Sequence, residues 1–313
     1  MVMEYNISLE GRSHPVVISD EPEALLAAKA AGRAIIGVEN DGNKWNITCA
    51  HYIIPDFTSA TRELAELVLR RHIGLPWIIG TTERLIIREF VKSDAVRIPK
   101  EEYGMEENVF RSPELMAHYI EKQYGFYEYG TWALEKKESG ALVGMAGVSN
   151  PRLPKDLEEM LRRFETGLPG TGLPGTGLPG AGLPGTGLPG TGLPGTGLPG
   201  TGLPGTAFSG SEDPGPDRAG QKQCLPWLEL GYHIFRPFRR MGYAGEAVAA
   251  IRDYAHEVLE VRLCAMIQTK NQASRAVAEG LGMECISGTG IQSSEAPLLY
   301  AERWTSRTDK AGS

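Results

Sequence analysis

The residues best suited to chemistry lie between positions 227 and 283, where patterns for a strand, a turn and a helix follow one another. The apolar, aromatic-rich run 225–235 predicts a strand, and the apolar period of 244–259 predicts a helix. Arg239, Arg240 and Gly242 stand between them. The first turn of a helix presents unpaired N–H groups and the positive end of the helix dipole, to which the two arginines add charge. This order predicts a site for a pyrophosphate.

A second strand and helix follow directly. Residues 261–269 predict a buried strand, and Asn271 with Ser274 opens a short helix that ends near Gly282. Three spaced motifs result: Leu228-Glu229-Leu230-Gly231-Tyr232, Arg239-x-x-Gly242-x-Ala244, and Asn271-x-x-Ser274 closing in Leu281-Gly282-Met283. Together they resemble the GNAT N-acetyltransferase superfamily and, within it, the RimJ/RimL-type branch. The resemblance implies a mixed-sheet α/β acyl-CoA N-acyltransferase fold, with acetyl-CoA as co-substrate.

The resemblance also implies where acetyl-CoA binds. In this family two neighbouring parallel strands splay apart and the pantetheine arm inserts between them, which places the gap here between residues 227–235 and 261–268. The cofactor-binding residues that it predicts are Ile234, Phe235, Arg239, Arg240, Met241, Gly242, Tyr243, Ala244 and Asn271.

Glu229 and Ser274 are the predicted catalytic residues. Glu229 is a carboxylate in an otherwise apolar strand, where burial raises a pKa toward the range of a general base; the alternative is a structural carboxylate bonded to backbone or an arginine. His233 lies on the same strand face as Glu229. It could relay a proton, or it could be a structural histidine whose hydrogen bonds are satisfied. Tyr232 faces the other way, as core or as proton donor to the thiolate.

Ser274 is the second candidate because many superfamily members carry a general-acid tyrosine seven residues after the asparagine, where this chain has Ala278. In the RimJ/RimL-like branch, positions matching Asn271 and Ser274 lie beside the thiol and can bind or protonate it. The alternative role of Ser274 is simple helix capping.

Composition limits the classes of partner. The chain has 313 residues, a formal net charge of −7 and a pI near 5.5, which argues against a general binder of nucleic acid or anionic membranes. No apolar run approaches the roughly 20 residues of a membrane span, and residues 1–10 lack a signal-peptide pattern, so we expect a cytoplasmic protein. The four cysteines show no metal-ligand spacing, and no metal is expected.

Residues 1–80 predict a separate βαβ segment. Ile18-Ser19-Asp20-Glu21-Pro22-Glu23-Ala24 and Ala27-Ala28-Lys29-Ala30-Ala31-Gly32 resemble the C-terminal half of haloacid-dehalogenase-like (HAD) hydrolases. No Asp-x-Asp nucleophile pattern precedes them, so the segment is predicted to be non-catalytic, with Asp20 as a helix cap and a structural or partner-binding role. The GNAT domain is then expected over 81–305, followed by a polar tail at 306–313.

A low-complexity repeat interrupts that domain. Thr-Gly-Leu-Pro-Gly recurs eight times over residues 166–205, with Ala181 as the one substitution. Glycine is not at every third position, which excludes collagen, and one leucine per pentad buries too little to offset the cost of ordering. We expect 151–224 to be a flexible insert, with a short amphipathic helix possible at 154–164.

These observations together predict an enzyme that moves the acetyl group of acetyl-CoA to a primary amine, on a protein N-terminus or a small molecule. The alternative is a catalytically silent acyl-CoA-binding regulatory module, supported by Ala278. We expect a monomer or homodimer without nucleic-acid or membrane partners.

Overall fold

The computed structural model describes residues 1–40, 42, 46–99, 102, 110, 112–166, 226–287 and 296–303. The pentad repeat beyond its first residue, the segment up to residue 225 and the polar tail lie outside them. The chain divides into two compact units, residues 1–142 and 143–313. The domain boundary at residue 80 stays a prediction. No helix among the described residues is long and apolar enough to cross a membrane.

The first unit begins with a sheet in the order β1-β2-β3-β4. Its strands are β1 (Val2–Leu9), β2 (Arg12–Ser19), β3 (Ala34–Val38) and β4 (Tyr52–Ile54), and its helices are α1 (Pro22–Ala30) and α2 (Arg62–His72). β1 pairs antiparallel with β2, whereas β2 with β3 and β3 with β4 are parallel. The predicted βαβ unit is therefore confirmed, while β1 was not foreseen.

The starts of the two helices differ from the sequence prediction. Asp20 does not cap α1: the N-cap is Glu21, which makes no side-chain cap bond, and the Asp20 carboxylate pairs with the amino group of Met1. The Asp20 prediction was wrong because the nearby terminal charge competes for that carboxylate. α2 begins at Arg62, three residues after the predicted start, because Thr61 caps it through a 3.1 Å bond to the N–H of Leu64.

The rest of the first unit forms β5 (Ile78–Thr81), β6 (Leu85–Arg88), β7 (Thr131–Lys136), α3 (Pro113–Tyr119), a π-helical turn (Ile120–Tyr124) and the short α4 (Gly125–Tyr127). β5 with β6 and β6 with β7 are antiparallel. Ser112 caps α3 as predicted, accepting a 3.1 Å bond from the N–H of Leu115. Tyr124 is fully buried, and its hydroxyl bonds to the backbone of Phe90 and Thr131, tying the π-helical turn to the end of β6 and to β7.

The second unit is a mixed sheet covered by helices. Its elements are β8 (Leu142–Ser149), α5 (Lys155–Thr166), β9 (Trp227–Ile234), α6 (Tyr243–Glu257), β10 (Arg262–Gln268), α7 (Gln272–Gly280), β11 (Met283–Cys285) and β12 (Pro297–Glu302). The strand order is β8-β9-β10-β12-β11, in which β9 and β10 are parallel and the other neighbours antiparallel. This agrees with the predicted mixed-sheet α/β class; β12, inserted between β10 and β11, was not predicted.

α5 corrects the prediction that 151–224 is one flexible insert. Leu157 and Leu161 are 3% and 5% exposed and pack with Leu299 and other residues of β10 and β12. Arg262 of β10 pairs with Glu165 of this helix and lies over the Trp227 ring at 4.2 Å. Residues 155–166 therefore belong to the packed unit, because leucines four apart form an apolar stripe that is stabilised by burial.

We predict that Leu161→Ala lowers the free energy of unfolding by about 2–5 kcal/mol, because it leaves a cavity under α5. Arg162→Ala, on the exposed face of the same helix, is the matched control, with an expected change within about 0.5 kcal/mol. Urea-induced unfolding measures both. Equal losses for the two variants would show that α5 is not docked on the sheet.

Candidate active site

The candidate site is built on the divergence of β9 and β10. Their parallel ladder contains three residue pairs, which run from Trp227↔Arg262 to Glu229↔Cys264. Beyond them, β9 continues to Ile234 alongside β8, while β10 continues to Gln268 alongside β12. The two strands are therefore held from opposite sides and separate after Glu229. This is the splay expected between these strands.

Close packing between β8 and β9 fixes one wall of the gap. A Cβ atom on Gly144 would lie 2.4 Å from the carbonyl oxygen of His233, nearer than real Cβ contacts come, so a larger residue at position 144 would push the strands apart. The N–H of Phe235 extends the contact to the carbonyl of Val143 at 2.9 Å. β9 is thus held against β8 from Glu229 to Phe235.

The turn from β9 into α6 uses two residues in the left-handed region. Arg240 has φ 63° and Gly242 has φ 82°. Glycine adopts this conformation without steric cost, whereas arginine adopts it at a cost of about 1–2 kcal/mol. The side chain of Arg239 folds back and donates from Nε to the carbonyl of Ile234 at 2.8 Å. Arg239 therefore also braces the turn against the end of β9.

The N-terminus of α6 is open to a ligand. Its N-cap, Gly242, has no side chain to satisfy the N–H groups of the first turn, and the first helical bond runs from Glu246 N–H to the Gly242 carbonyl at 3.2 Å. A Cβ on Gly245 would meet nothing within 4 Å, so space is open there. Arg240, Met241 and Gly242 are exposed beside it. A helix N-terminus without a side-chain cap, next to an exposed arginine, suits a phosphate group.

Glu229 lies where the parallel ladder ends. It is partly buried, and its carboxylate accepts backbone hydrogen bonds from Met266 and Arg152. Burial raises the pKa of Glu229, and these two hydrogen bonds lessen the rise. Burial also raises the pKa of the Cys264 thiol, with the nearby Glu229 charge as the next cause. The backbone contacts match the structural alternative for Glu229, while the raised pKa suits a base; both roles are compatible with one carboxylate.

A hydroxyl pair lies on the other face of β9. Tyr232 donates a 3.0 Å hydrogen bond to Ser274 Oγ, while Asn271 caps α7 by accepting from the Ser274 N–H at 3.1 Å. Burial raises the pKa of Tyr232, and the bond to Ser274 opposes this. Tyr232 lies on the face opposite Glu229, as strand alternation predicts. It is not only a core side chain, because its hydroxyl is hydrogen-bonded to Ser274. The sequence held no sign of this partnership.

The other predicted site residues differ in how far their side chains are exposed to solvent. Ile234, Phe235 and Tyr243 are buried, so they can offer a ligand mainly backbone groups, and Ala244 is half-buried in the first turn of α6. Ala278 is also buried, and it supplies no acid to the site. The structure thus gathers the predicted set around one strand gap and one helix terminus.

We predict that the Glu229→Gln variant becomes more stable relative to wild type as the pH rises. With the pKa of Glu229 raised, the folded protein binds more protons than the unfolded chain between the ordinary pKa of about 4.3 and the raised value, so the free energy of unfolding of wild type falls as pH rises through this window. The glutamine does not titrate. Urea unfolding from about pH 4 to 8 measures the difference.

Glu138→Gln provides the control, because its exposed carboxylate has a pKa lowered by Lys136, the opposite direction. A Glu229→Gln difference that stays flat with pH would contradict a raised pKa.

Comparisons with known proteins bear on the same region. Residues 208–284 match the family model described as acetyltransferase (GNAT) domain. No curated protein matches the sequence significantly. The resemblance of the N-terminal segment to HAD-like hydrolases stays a prediction.

Solved structures with similarity to this chain include three acetyltransferases. One is an acetyltransferase from Agrobacterium tumefaciens str. C58, with 19% identity, 72% of this chain and 94% of that chain covered, and a TM-score of 0.39. Another is the ribosomal-protein-S5-alanine acetyltransferase from Vibrio fischeri, with 13% identity, coverage of 71% and 94%, and a TM-score of 0.41. Mutant forms of the spermidine/spermine N-acetyltransferase SpeG from Vibrio cholerae show 9% identity, coverage of 70% and 91%, and a TM-score of 0.36. The matched residues include β9, α6, β10 and α7, so these elements are similar in sequence to a GNAT acetyltransferase domain.

Proposed function

We propose that this protein is an acetyl-CoA-dependent N-acetyltransferase that acts on a primary amine. The observation that carries the proposal is the end of the β9–β10 ladder at Glu229, followed along the chain by the glycine turn into α6, within the segment that matches the GNAT family model. An acyl-CoA needs both features, because its pantetheine arm is a narrow chain of amides and its pyrophosphate is doubly charged.

The residues fit such a co-substrate. The first-turn N–H groups of Tyr243 and Ala244, together with Arg240, hold the pyrophosphate, and Met241 and Gly242 allow its close approach. Ile234 and Phe235 present the end of β9 to the pantetheine arm, and Asn271, the N-cap of α7, is the remaining proposed contact. When bound, acetyl-CoA supplies the activated acetyl group.

Glu229 is the proposed general base. An amine must be neutral to act as a nucleophile, and a carboxylate with a raised pKa accepts a proton more effectively than an ordinary one at neutral pH. The Met266 and Arg152 hydrogen bonds hold the carboxylate at the mouth of the gap. The proton lost by the attacking amine passes to Glu229.

Tyr232 and Ser274 form the proposed proton donor to the leaving sulfur. The Tyr232 hydroxyl points to Ser274, and the pair lies on the face of β9 opposite Glu229. Two hydroxyls in a chain can pass a proton to a thiolate without a charged acid, which is the task left open by Ala278. Base and acid thereby work from opposite faces of one strand.

The acceptor is a primary amine of a protein N-terminus or of a small molecule. A net charge of −7 favours the approach of a cationic acceptor. We further propose a cytoplasmic monomer or homodimer, in which residues 1–80 form a non-catalytic HAD-like segment.

A catalytically silent acyl-CoA-binding regulatory module is the second candidate. Buried Ala278 in place of a general-acid tyrosine favours it, as do the two backbone bonds that engage the Glu229 carboxylate. Acetyl-CoA binding without acetyl transfer to any amine would distinguish this function from the first.

We predict that Arg240→Gly binds acetyl-CoA about tenfold more weakly, because one charge-assisted phosphate contact is lost. The same change relieves a left-handed arginine and should raise the melting temperature of the free protein. Thermal unfolding with and without acetyl-CoA measures both effects, since a ligand at about a hundred times its Kd stabilises by about 2.7 kcal/mol.

Gly242→Glu should abolish the shift in melting temperature caused by acetyl-CoA, and Gly280→Glu, at the exposed end of α7, should retain it. An unchanged shift in both Arg240→Gly and Gly242→Glu would exclude this turn as the binding site.

We predict that Glu229→Gln lowers kcat by roughly 10²–10⁴ with acetyl-CoA binding unchanged. Tyr232→Phe should lower kcat and alter the basic limb of its pH profile, because the proton donor is lost while packing is kept. Steady-state rates with a panel of amines, read by thiol release, provide the measurement. Asp253→Asn, which changes an exposed carboxylate on α6, serves as the control. A loss below tenfold for Glu229→Gln would remove it as the base.

A further inference from the structure

The first compact unit contains an open cavity that the proposed acetyl transfer does not use. Its volume is about 480 Å³, and its walls come from β3, α2, the residues after β6, α3 and the π-helical turn. Small-molecule sites in proteins usually span about 300–1,000 Å³, so the cavity is large enough for a compact organic ligand. All of its lining residues lie within residues 1–142.

One wall is a buried ion pair. Arg71 and Glu89 join through a 2.5 Å contact, and Glu89 is 2% exposed. Arg71 also donates to the Tyr52 hydroxyl, and Glu89 accepts from the N–H of Trp77 at 3.3 Å. Because these charges neutralise each other and are held on several sides, they give the cavity a rigid polar wall with little net charge.

The remaining charges at the cavity are mainly positive. Among the described lining residues, Lys29, Arg33 and Lys92 oppose Glu121, once the Arg71 pair is set aside. Lys29 uses one donor in a 2.9 Å bond to the Cys49 carbonyl, and Arg33 forms an exposed 3.2 Å pair with Glu4. An ammonium has three donors and a guanidinium five, so both groups retain capacity for an anion. This positive opening stands out in a chain whose net charge is −7.

The interior of the cavity is apolar. Most of its lining surface is apolar, and the apolar lining residues include Ile35, Val68, Leu75, Phe90 and Ile120. A ligand that consists of charge alone would leave this surface wet, whereas an apolar body would bury it and gain roughly 25 cal/mol per Å². The lining therefore favours a ligand that combines an apolar body with an anionic head.

We propose that this cavity binds a small organic anion with an apolar body, of the class of aromatic or aliphatic carboxylates. The carboxylate meets Lys29 and Lys92 at the opening, and the apolar body lies against Phe90 and its neighbours. The same cations repel a protonated amine, so this site differs in chemistry from the amine acceptor of the proposed transferase. Its occupancy does not depend on acetyl transfer.

Isothermal titration of the full chain with 2-naphthoate and with 2-naphthylmethylamine tests the proposal, because the probes share a body and differ in charge. We expect saturable 2-naphthoate binding that is at least tenfold tighter than amine binding. Lys29→Gln combined with Lys92→Gln should weaken 2-naphthoate at least tenfold. Lys136→Gln combined with Lys137→Gln is the control, because it removes the same charge outside the cavity and should leave binding unchanged.

Cysteine protection locates the bound probe. Cys49 lines the cavity and is partly exposed, while Cys285 is exposed and belongs to the other unit. Saturating 2-naphthoate should slow alkylation of Cys49 by N-ethylmaleimide at least fivefold and leave Cys285 unaffected, as read by peptide mass spectrometry. No saturable binding, equal affinity for the two probes, or equal alkylation of Cys49 with and without probe would each overturn the proposal.

Discussion

One constraint shapes the second unit: β9 and β10 each pair over more residues with an outer strand than with each other. β9 has six residue pairs with β8, and β10 has five with β12, against three between β9 and β10. Sheet twist and these outer ladders therefore draw the two central strands apart beyond Glu229. A gap in the middle of a sheet leaves backbone groups without strand partners, and such groups are costly unless something binds them. The candidate active site follows from this geometry.

The same divergence places the two candidate catalytic groups on opposite sides of the proposed reaction. Successive side chains of a strand point to opposite faces, so Glu229 and Tyr232 fall on different sides of β9. Glu229 shares a face of β9 with Trp227, which packs against α5, and Tyr232 points toward α7, where its hydroxyl donates a hydrogen bond to Ser274. In an intact ladder both faces would be separated by a continuous sheet. Because the sheet is open here, a ligand in the gap can be reached from both.

The first unit is organised by buried ion pairs of arginine. Arg88 is 5% exposed and contacts Asp94 at 2.7 Å and Glu135 at 2.6 Å, while Arg71 pairs with Glu89 one residue farther along the chain. Buried charges are costly unless every partner is present, so these pairs favour one arrangement of β6 and its surroundings. The Arg71–Glu89 pair also gives the cavity one polar wall. The apolar clusters beneath the first sheet supply the stabilising burial.

The sequence by itself determined the local elements of the site. The strand–turn–helix order around Gly242, the cap at Ser112 and the apolar period of α6 depend on only a few neighbouring residues, so these elements could be predicted with nearly correct bounds. The direction of the Glu229 pKa shift also followed from one carboxylate in an apolar strand.

Only the tertiary structure decided which distant segments meet. The bond between Tyr232 and Ser274 joins residues 42 apart, β12 enters between β10 and β11, and α5 docks on the sheet although its neighbours in sequence suggest a linker. The cavity likewise draws residues from positions 29 to 125. Local preferences carry no information about such pairings, because these depend on which apolar faces can be buried together and on which charges must then find partners.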